Sequence, residues 1–123
     1  MKALVIDDSS SMRRIIRSYL AQMQVEVIEA DNGQSALDML KAHTDIEIIF
    51  LDWNMPVMNG IEFLHVYRKV KNMGHVPVCM VTSEAEQSAI IQALSAGANE
   101  FLMKPFSADA LRDKMNLALG VLS

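Results

Sequence analysis

The chain is short of cysteine, of basic charge and of long apolar runs, and each shortage closes off a class of protein. Its 123 residues include one cysteine, so no internal disulfide can form. That residue, Cys79, sits in Val78-Cys79-Met80-Val81, where a buried, inert thiol is expected. Lysine and arginine number 11 against 15 aspartates and glutamates, a net charge of -4. With no basic excess to neutralise phosphates, direct nucleic-acid binding is not expected as the main activity. No apolar run approaches membrane-spanning length, and the opening Met1-Lys2-Ala3-Leu4-Val5-Ile6 reaches two aspartates too soon for a signal peptide. The expectation is a cytoplasmic protein with no membrane contact. His43, His65 and His75 stand apart with no metal-ligand spacing, and no linker, repeat or low-complexity segment interrupts the chain.

What is present is a regular alternation. Apolar residues make up 51% of the chain, enough for burial to offset the entropy of ordering one domain over residues 1–123. Five apolar runs alternate with helical patterns. The first run is Ala3 to Ile6, followed by a helix capped by Ser9 or Ser10. Its residues Met12, Ile15, Ile16, Tyr19, Leu20 and Met23 recur at the spacing of one helix face. A second strand over Val25 to Glu29 precedes a helix from Gly33 to Ala42 that turns Ala36, Leu37 and Leu40 inward. The third strand, Ile48 to Leu51, leads through a loop with Pro56 and Gly60 to a helix ending near Lys71. The fourth, Val76 to Val81, precedes a helix over about Ala85 to Ser95. A fifth strand near Glu100 to Met103 precedes a helix that starts after Ser107 and uses Leu111, Met115, Ala118 and Leu122.

Strands separated by helices imply crossover connections and a parallel sheet. Strands one, three and four are continuously apolar, as interior strands covered on both faces should be. Strand two carries Glu26 and Glu29 and reads as an edge. Five such units suit a doubly wound (βα)5 flavodoxin-like sandwich with strand order 2-1-3-4-5.

In an open sheet of this kind ligands sit beyond the carboxyl ends of the strands. Asp7 and Asp8 follow strand one, Asp52, Trp53 and Asn54 strand three, Thr82, Ser83 and Glu84 strand four, and Lys104, Pro105 and Phe106 strand five. The predicted order makes these four strands contiguous, so acids, a hydroxyl and a lysine converge at one edge. Clustered carboxylates repel, and a hard divalent cation such as Mg²⁺ relieves them. A carboxylate beside that ion can attack phosphorus, while Lys104, the Thr82 hydroxyl and a nearby backbone N–H partner the phosphoryl oxygens. Taken singly these residues have plainer explanations: a strand-end acid is often a turn former or helix cap, a strand-end threonine structural, a lysine solvated. Their occurrence together at four strand ends in order points to a phosphoacceptor at Asp52.

On Ile6-Asp7-Asp8, Leu51-Asp52-Trp53-Asn54-Met55-Pro56 with Asn59-Gly60, Val81-Thr82-Ser83-Glu84 and Lys104-Pro105-Phe106, the whole chain resembles the response-regulator receiver domains. Within them it is most similar to the stand-alone chemotaxis regulators, which have no output domain. The resemblance implies a signalling protein rather than an enzyme. Asp52 is then the phosphorylation site, served by a phosphohistidine on a sensor kinase. Asp8 and Asp52 ligate Mg²⁺ by side chain, Asn54 by its carbonyl, and Asp7 acts through water. Lys104, with a cis bond to Pro105, Thr82 and Ser83 serve phosphate binding and switching, with Phe101 as the switch aromatic. Asn54 and Glu84 tune dephosphorylation. The implied partner surface is helix four, strand five and helix five, with Ile90, Met103, Phe106 and Lys114 as candidate contacts. Two departures stand out: Phe101 replaces a tyrosine of the chemotaxis regulators, and Ala85 to Ile90 lacks their lysines.

Two other readings compete. A phosphorelay intermediate or phosphate sink would use the same Asp52 chemistry without an output partner. A phosphohydrolase with an aspartate nucleophile would need an acid two residues on, where Asn54 stands instead. Arg13, Arg14 and Arg17 are expected on the solvated side of helix one, and most of the ten methionines as gap-filling core, with a Met-rich recognition surface as the alternative.

Overall fold

A computed structural model describes residues 1–70, 74–83 and 87–121. The elements run β1 (Lys2–Ile6), α1 (Ser10–Gln22), β2 (Glu26–Ala30), α2 (Gly33–Ala42), β3 (Ile46–Asp52), α3 (Gly60–Arg68), β4 (Val78–Thr82), α4 (Gln87–Ser95), β5 (Glu100–Met103) and α5 (Ala108–Leu119). The sheet is parallel in order β2-β1-β3-β4-β5, as expected from the strand composition.

Side-chain alternation along the strands divides the core in two. Leu4, Ile6, Ile49, Leu51, Val78 and Met80 face α2, α3 and α4, where Leu37, Leu40, Phe63, Leu64 and Ala93 complete one layer. Ala3, Val5, Ile48, Phe50, Cys79 and Val81 face α1 and α5, with Ile16, Leu20, Leu111 and Met115 completing the other. Cys79 is fully buried, and burial pushes its thiol up to about 12. Among the described residues no helix is long and apolar enough to cross a membrane.

Helix starts follow local chemistry. Ser9 accepts from Met12 N–H at 3.2 Å, Asn32 from Ser35 N–H at 2.8 Å, and Ser107 from Ala110 N–H at 3.1 Å. Asn59 and Glu62 form a reciprocal capping box at α3.

Several boundaries differ from expectation. β4 begins at Val78 rather than Val76, because Pro77 has no N–H to give the ladder and the Val76 N–H goes to the Tyr67 hydroxyl at 3.2 Å. β2 begins at Glu26, since Val25 N–H bonds back to the Leu20 carbonyl in the turn that closes α1. α3 ends at Arg68, and Lys71, like Ala85 and Leu122, lies outside the described residues. Ile15 is 41% exposed rather than inward: it lies at the margin of a stripe whose centre, Ile16 and Leu20, meets the sheet. Arg13 and Arg17 are also not simply solvated, for both pair with Glu29 of β2.

Candidate functional site at the carboxyl edge of the sheet

Four strand ends meet at one edge. β1 runs into Asp7, whose N–H still bonds the Ala30 carbonyl of β2 at 3.1 Å. β3 ends on Asp52 and β4 on Thr82; with Asp7 they are the buried polar or charged residues among the described residues, at 5%, 0% and 1% exposure. The Lys104 N–H donates to the Thr82 carbonyl at 2.8 Å, extending the β4–β5 pairing by one residue and carrying the lysine over the edge. The Lys104–Pro105 peptide is cis.

The side chains converge. Lys104 Nζ stands 3.1 Å from Asp7 Oδ2 and 3.2 Å from Asp52 Oδ1. Oxygens of Asp7, Asp8 and Asp52 all lie within 4.8 Å of one another, with Asp8 exposed. Three carboxylates against one ammonium leave the cluster short of positive charge. Burial, then the Asp7 carboxylate, pushes Asp52 up to about 6; Lys104 opposes this and Asp8 adds to it. Burial alone would lower Lys104, but Asp52 and Asp7 outweigh it and hold the ammonium above its ordinary value. An all-oxygen set with surplus negative charge and one open side fits a hard divalent cation.

Backbone packing holds Asp52 in place. The Gly60 N–H donates to the Trp53 carbonyl at 2.8 Å, drawing the start of α3 against the end of β3. A Cβ at position 60 would stand 2.5 Å from the Asp52 carbonyl oxygen, so only glycine permits this approach. Beside Asp8 a cavity of about 590 Å³ opens between Asp31–Gln34 and Pro56–Met58.

The remaining expected residues are spread around this centre. Asn54 and Ser83 are exposed beside it, and Glu84 lies outside the described residues. Phe101 is half-buried, packs against the α2–α3–α4 layer, and is register partner to Met80, two residues before Thr82 on β4. Met103 is 41% exposed at the end of β5, and Ile90 is half-buried on α4. Lys114 pairs with Glu100 at 3.1 Å. Phe106 packs edge-on against Tyr19 of α1, at a centroid distance of 6.0 Å, and so sits on the α1 side of α5.

Sequence reasoning missed Arg13. Its Nη1 donates to the Asp7 carbonyl at 2.6 Å and its Nε to Glu29 at 3.0 Å. The signal was present: an arginine in the first turns of α1 and an acid near the end of the neighbouring edge strand.

The response regulator receiver domain family matches residues 3–116. A chemotaxis protein CheY homolog of Campylobacter jejuni is 42% identical over 121 residues, 98% of this chain and 93% of that protein. Chemotaxis protein CheY of Pseudomonas aeruginosa is 43% identical over 116 residues, 94% of this chain and 93% of its own. Among solved structures, chemotaxis protein CheY4 of Vibrio cholerae superposes with a TM-score of 0.89 at 31% identity, covering 96% of this chain and 98% of that one.

Proposed function

The chain belongs to the response regulator receiver family, and we propose that it is the phosphoacceptor of a two-component pathway, with Asp52 taking the phosphoryl group from a phosphohistidine on a sensor kinase. One observation carries this reading: Lys104 bridges Asp7 and Asp52 at 3.1 and 3.2 Å within a cluster of three carboxylates. Asp8 and Asp52 would hold Mg²⁺ by side chain, Asn54 by its carbonyl and Asp7 through water. Such an ion supplies charge neutralisation for the carboxylates and for the incoming phosphoryl oxygens. An Asp52 carboxylate oxygen attacks phosphorus, the P–N bond breaks, and the donor imidazole leaves with the bonding pair. Lys104 then pairs with a phosphoryl oxygen, and the Thr82 hydroxyl and a backbone N–H near Ser83 take others. Asn54 and Glu84 set how fast water removes the group.

The output is a change of partner affinity. Thr82 moves toward the phosphoryl group, and Phe101, packed along β4 below it, turns further inward. The phosphoryl group drives this only by stabilising one arrangement over the other. The responding face is α4, β5 and α5. Support comes from the apolar side chains it leaves to solvent, Ile91 and Leu94 on α4 and Met103 on β5. Ile90 and Lys114 flank that face, and Phe106, in the loop between β5 and α5, lies toward α1 against Tyr19. The chemotaxis names of the relatives favour a cytoplasmic chemotaxis role, with a protein target rather than nucleic acid or membrane. Phe101 has no hydroxyl, so binding there rests on burial and shape.

The test is transfer of radiolabelled phosphate from acetyl phosphate, or from a phosphorylated kinase, with Mg²⁺ present. Wild type should label stoichiometrically and Asp52→Asn not at all. Stoichiometric labelling of Asp52→Asn would overturn the assignment.

A further inference from the structure

Asp7 is tied at every polar atom. Its N–H donates to the Ala30 carbonyl at 3.1 Å, and its Oδ1 accepts from the Ser9 N–H at 2.9 Å. Its Oδ2 accepts from Lys104 Nζ at 3.1 Å. Its carbonyl accepts from Arg13 Nη1 at 2.6 Å. Three of these ties come from the sheet, the turn and the cluster already described. The fourth comes from a side chain that is itself held. Arg13 Nε lies 3.0 Å from Glu29 Oε1, and the other Glu29 oxygen takes Arg17 Nη1 at 2.7 Å. Glu29 is the register partner of Val5, so the clamp is anchored on the edge strand one step before the end of the sheet.

The Asp7 carbonyl belongs to the peptide that joins Asp7 to Asp8. Holding it fixes the plane of that peptide and with it the direction in which exposed Asp8 leaves the sheet. We propose that Arg13, oriented by Glu29, is a positioning residue for the acidic cluster: it holds the Asp7–Asp8 peptide so that the Asp8 carboxylate stays within ligand distance of Asp7 and Asp52. The guanidinium is suited to this because its fork reaches a carbonyl and a carboxylate together, with a rigidity that an ammonium lacks. Outer groups of this kind that orient metal-binding side chains change metal affinity when removed.

This inference rests on the Mg²⁺ reading of the cluster, and one experiment separates the two. Mg²⁺ binding by the full chain is measured by calorimetry for wild type, Arg13→Gln, Glu29→Val and Arg13→Lys, with urea unfolding of each without metal. Positioning predicts that Arg13→Gln and Glu29→Val both weaken Mg²⁺ binding by roughly tenfold, with Arg13→Lys between them and wild type. A purely electrostatic role predicts opposite signs, with Arg13→Gln binding more tightly because a cation is gone. Opposite signs would overturn the proposal. So would unchanged Mg²⁺ affinity in both variants, whatever happens to their urea midpoints. A wild-type chain that binds no Mg²⁺ would instead sink the metal reading itself.

Discussion

Removing the charge of Asp52 should make the metal-free protein more stable. Burial and the neighbouring Asp7 carboxylate raise Asp52 from an ordinary 3.8 to about 6. A carboxyl with a raised value in the folded state favours folding when protonated, so that contribution is whole below about pH 4 and is lost as pH rises through about 6. The difference of about two pH units corresponds to ~3 kcal/mol of destabilisation near pH 7. Asparagine keeps the shape of the side chain and never ionises. Asp52→Asn should therefore match wild type below about pH 4, pull ahead between about pH 4 and 6, and hold its lead above that. With a urea slope of about 1–3 kcal/mol per molar for a domain of this size, the lead appears as a midpoint shift of roughly 1–3 M at pH 7.5 in chelator. Saturating Mg²⁺ should raise the wild-type midpoint far more than that of Asp52→Asn. The reasoning is refuted if the two midpoints coincide in chelator at pH 7.5, or if their difference is the same at pH 4 and pH 7.5.

Three further outcomes are expected. Arg68→Lys should cost about 2 kcal/mol in urea unfolding, because an ammonium cannot replace a guanidinium whose donors reach the carbonyls of Gly74, Val76 and Gly97 and the Asn99 side chain. Gly60→Ala should cost about 1–3 kcal/mol, since the added Cβ would stand 2.5 Å from the Asp52 carbonyl, and labelling by acetyl phosphate should fall even where circular dichroism shows a folded chain. Cys79, buried with its thiol raised to about 12, should resist a thiol reagent in the native protein and react at the rate of unfolding, whereas reaction within seconds under native conditions would refute its burial.

The parts of this molecule legible in the sequence were those set by periodicity and strand composition. Continuous apolar runs placed β1, β3 and β4 inside the sheet, and the glutamates of β2 placed it at an edge, which was enough to line up Asp7, Asp52, Thr82 and Lys104. What escaped were side chains whose partners depend on three-dimensional proximity. Arg13 and Arg17 lie on the polar side of α1, and only the neighbouring β2 turns that side into a clamp on Glu29. Ile15 fits the helix stripe, yet burial is complete only at the stripe's centre, Ile16 and Leu20, and spacing alone does not tell centre from margin. Arg68 carried no signal at all, since four of its five hydrogen bonds go to backbone carbonyls, which every sequence offers equally.

The two ends of the sheet handle charge in opposite ways, and the contrast has a functional meaning. At the amino ends of β4 and β5, the Arg68 guanidinium has all five of its N–H donors matched to oxygens, and its Cζ lies 5.6 Å from the centre of the Tyr67 ring. Gly97 there adopts a φ of +111°, which favours glycine, and a Cβ would stand 3.1 Å from the Arg68 Nε. Among the described residues, every N–H donor of Arg68 meets an uncharged oxygen, so the guanidinium is satisfied without a carboxylate partner. At the carboxyl ends three carboxylates cluster where one lysine pairs with only two of them, Asp7 and Asp52, and Asp52 is held away from its ordinary ionisation. A satisfied network rigidifies, while an under-compensated one responds to whatever cation or group arrives. Destabilisation at one end of a strand can persist only where the rest of the fold over-determines it. The staple at Arg68 and the two packed faces supply that excess, leaving the edge with Asp52 free to be shaped by chemistry rather than by stability.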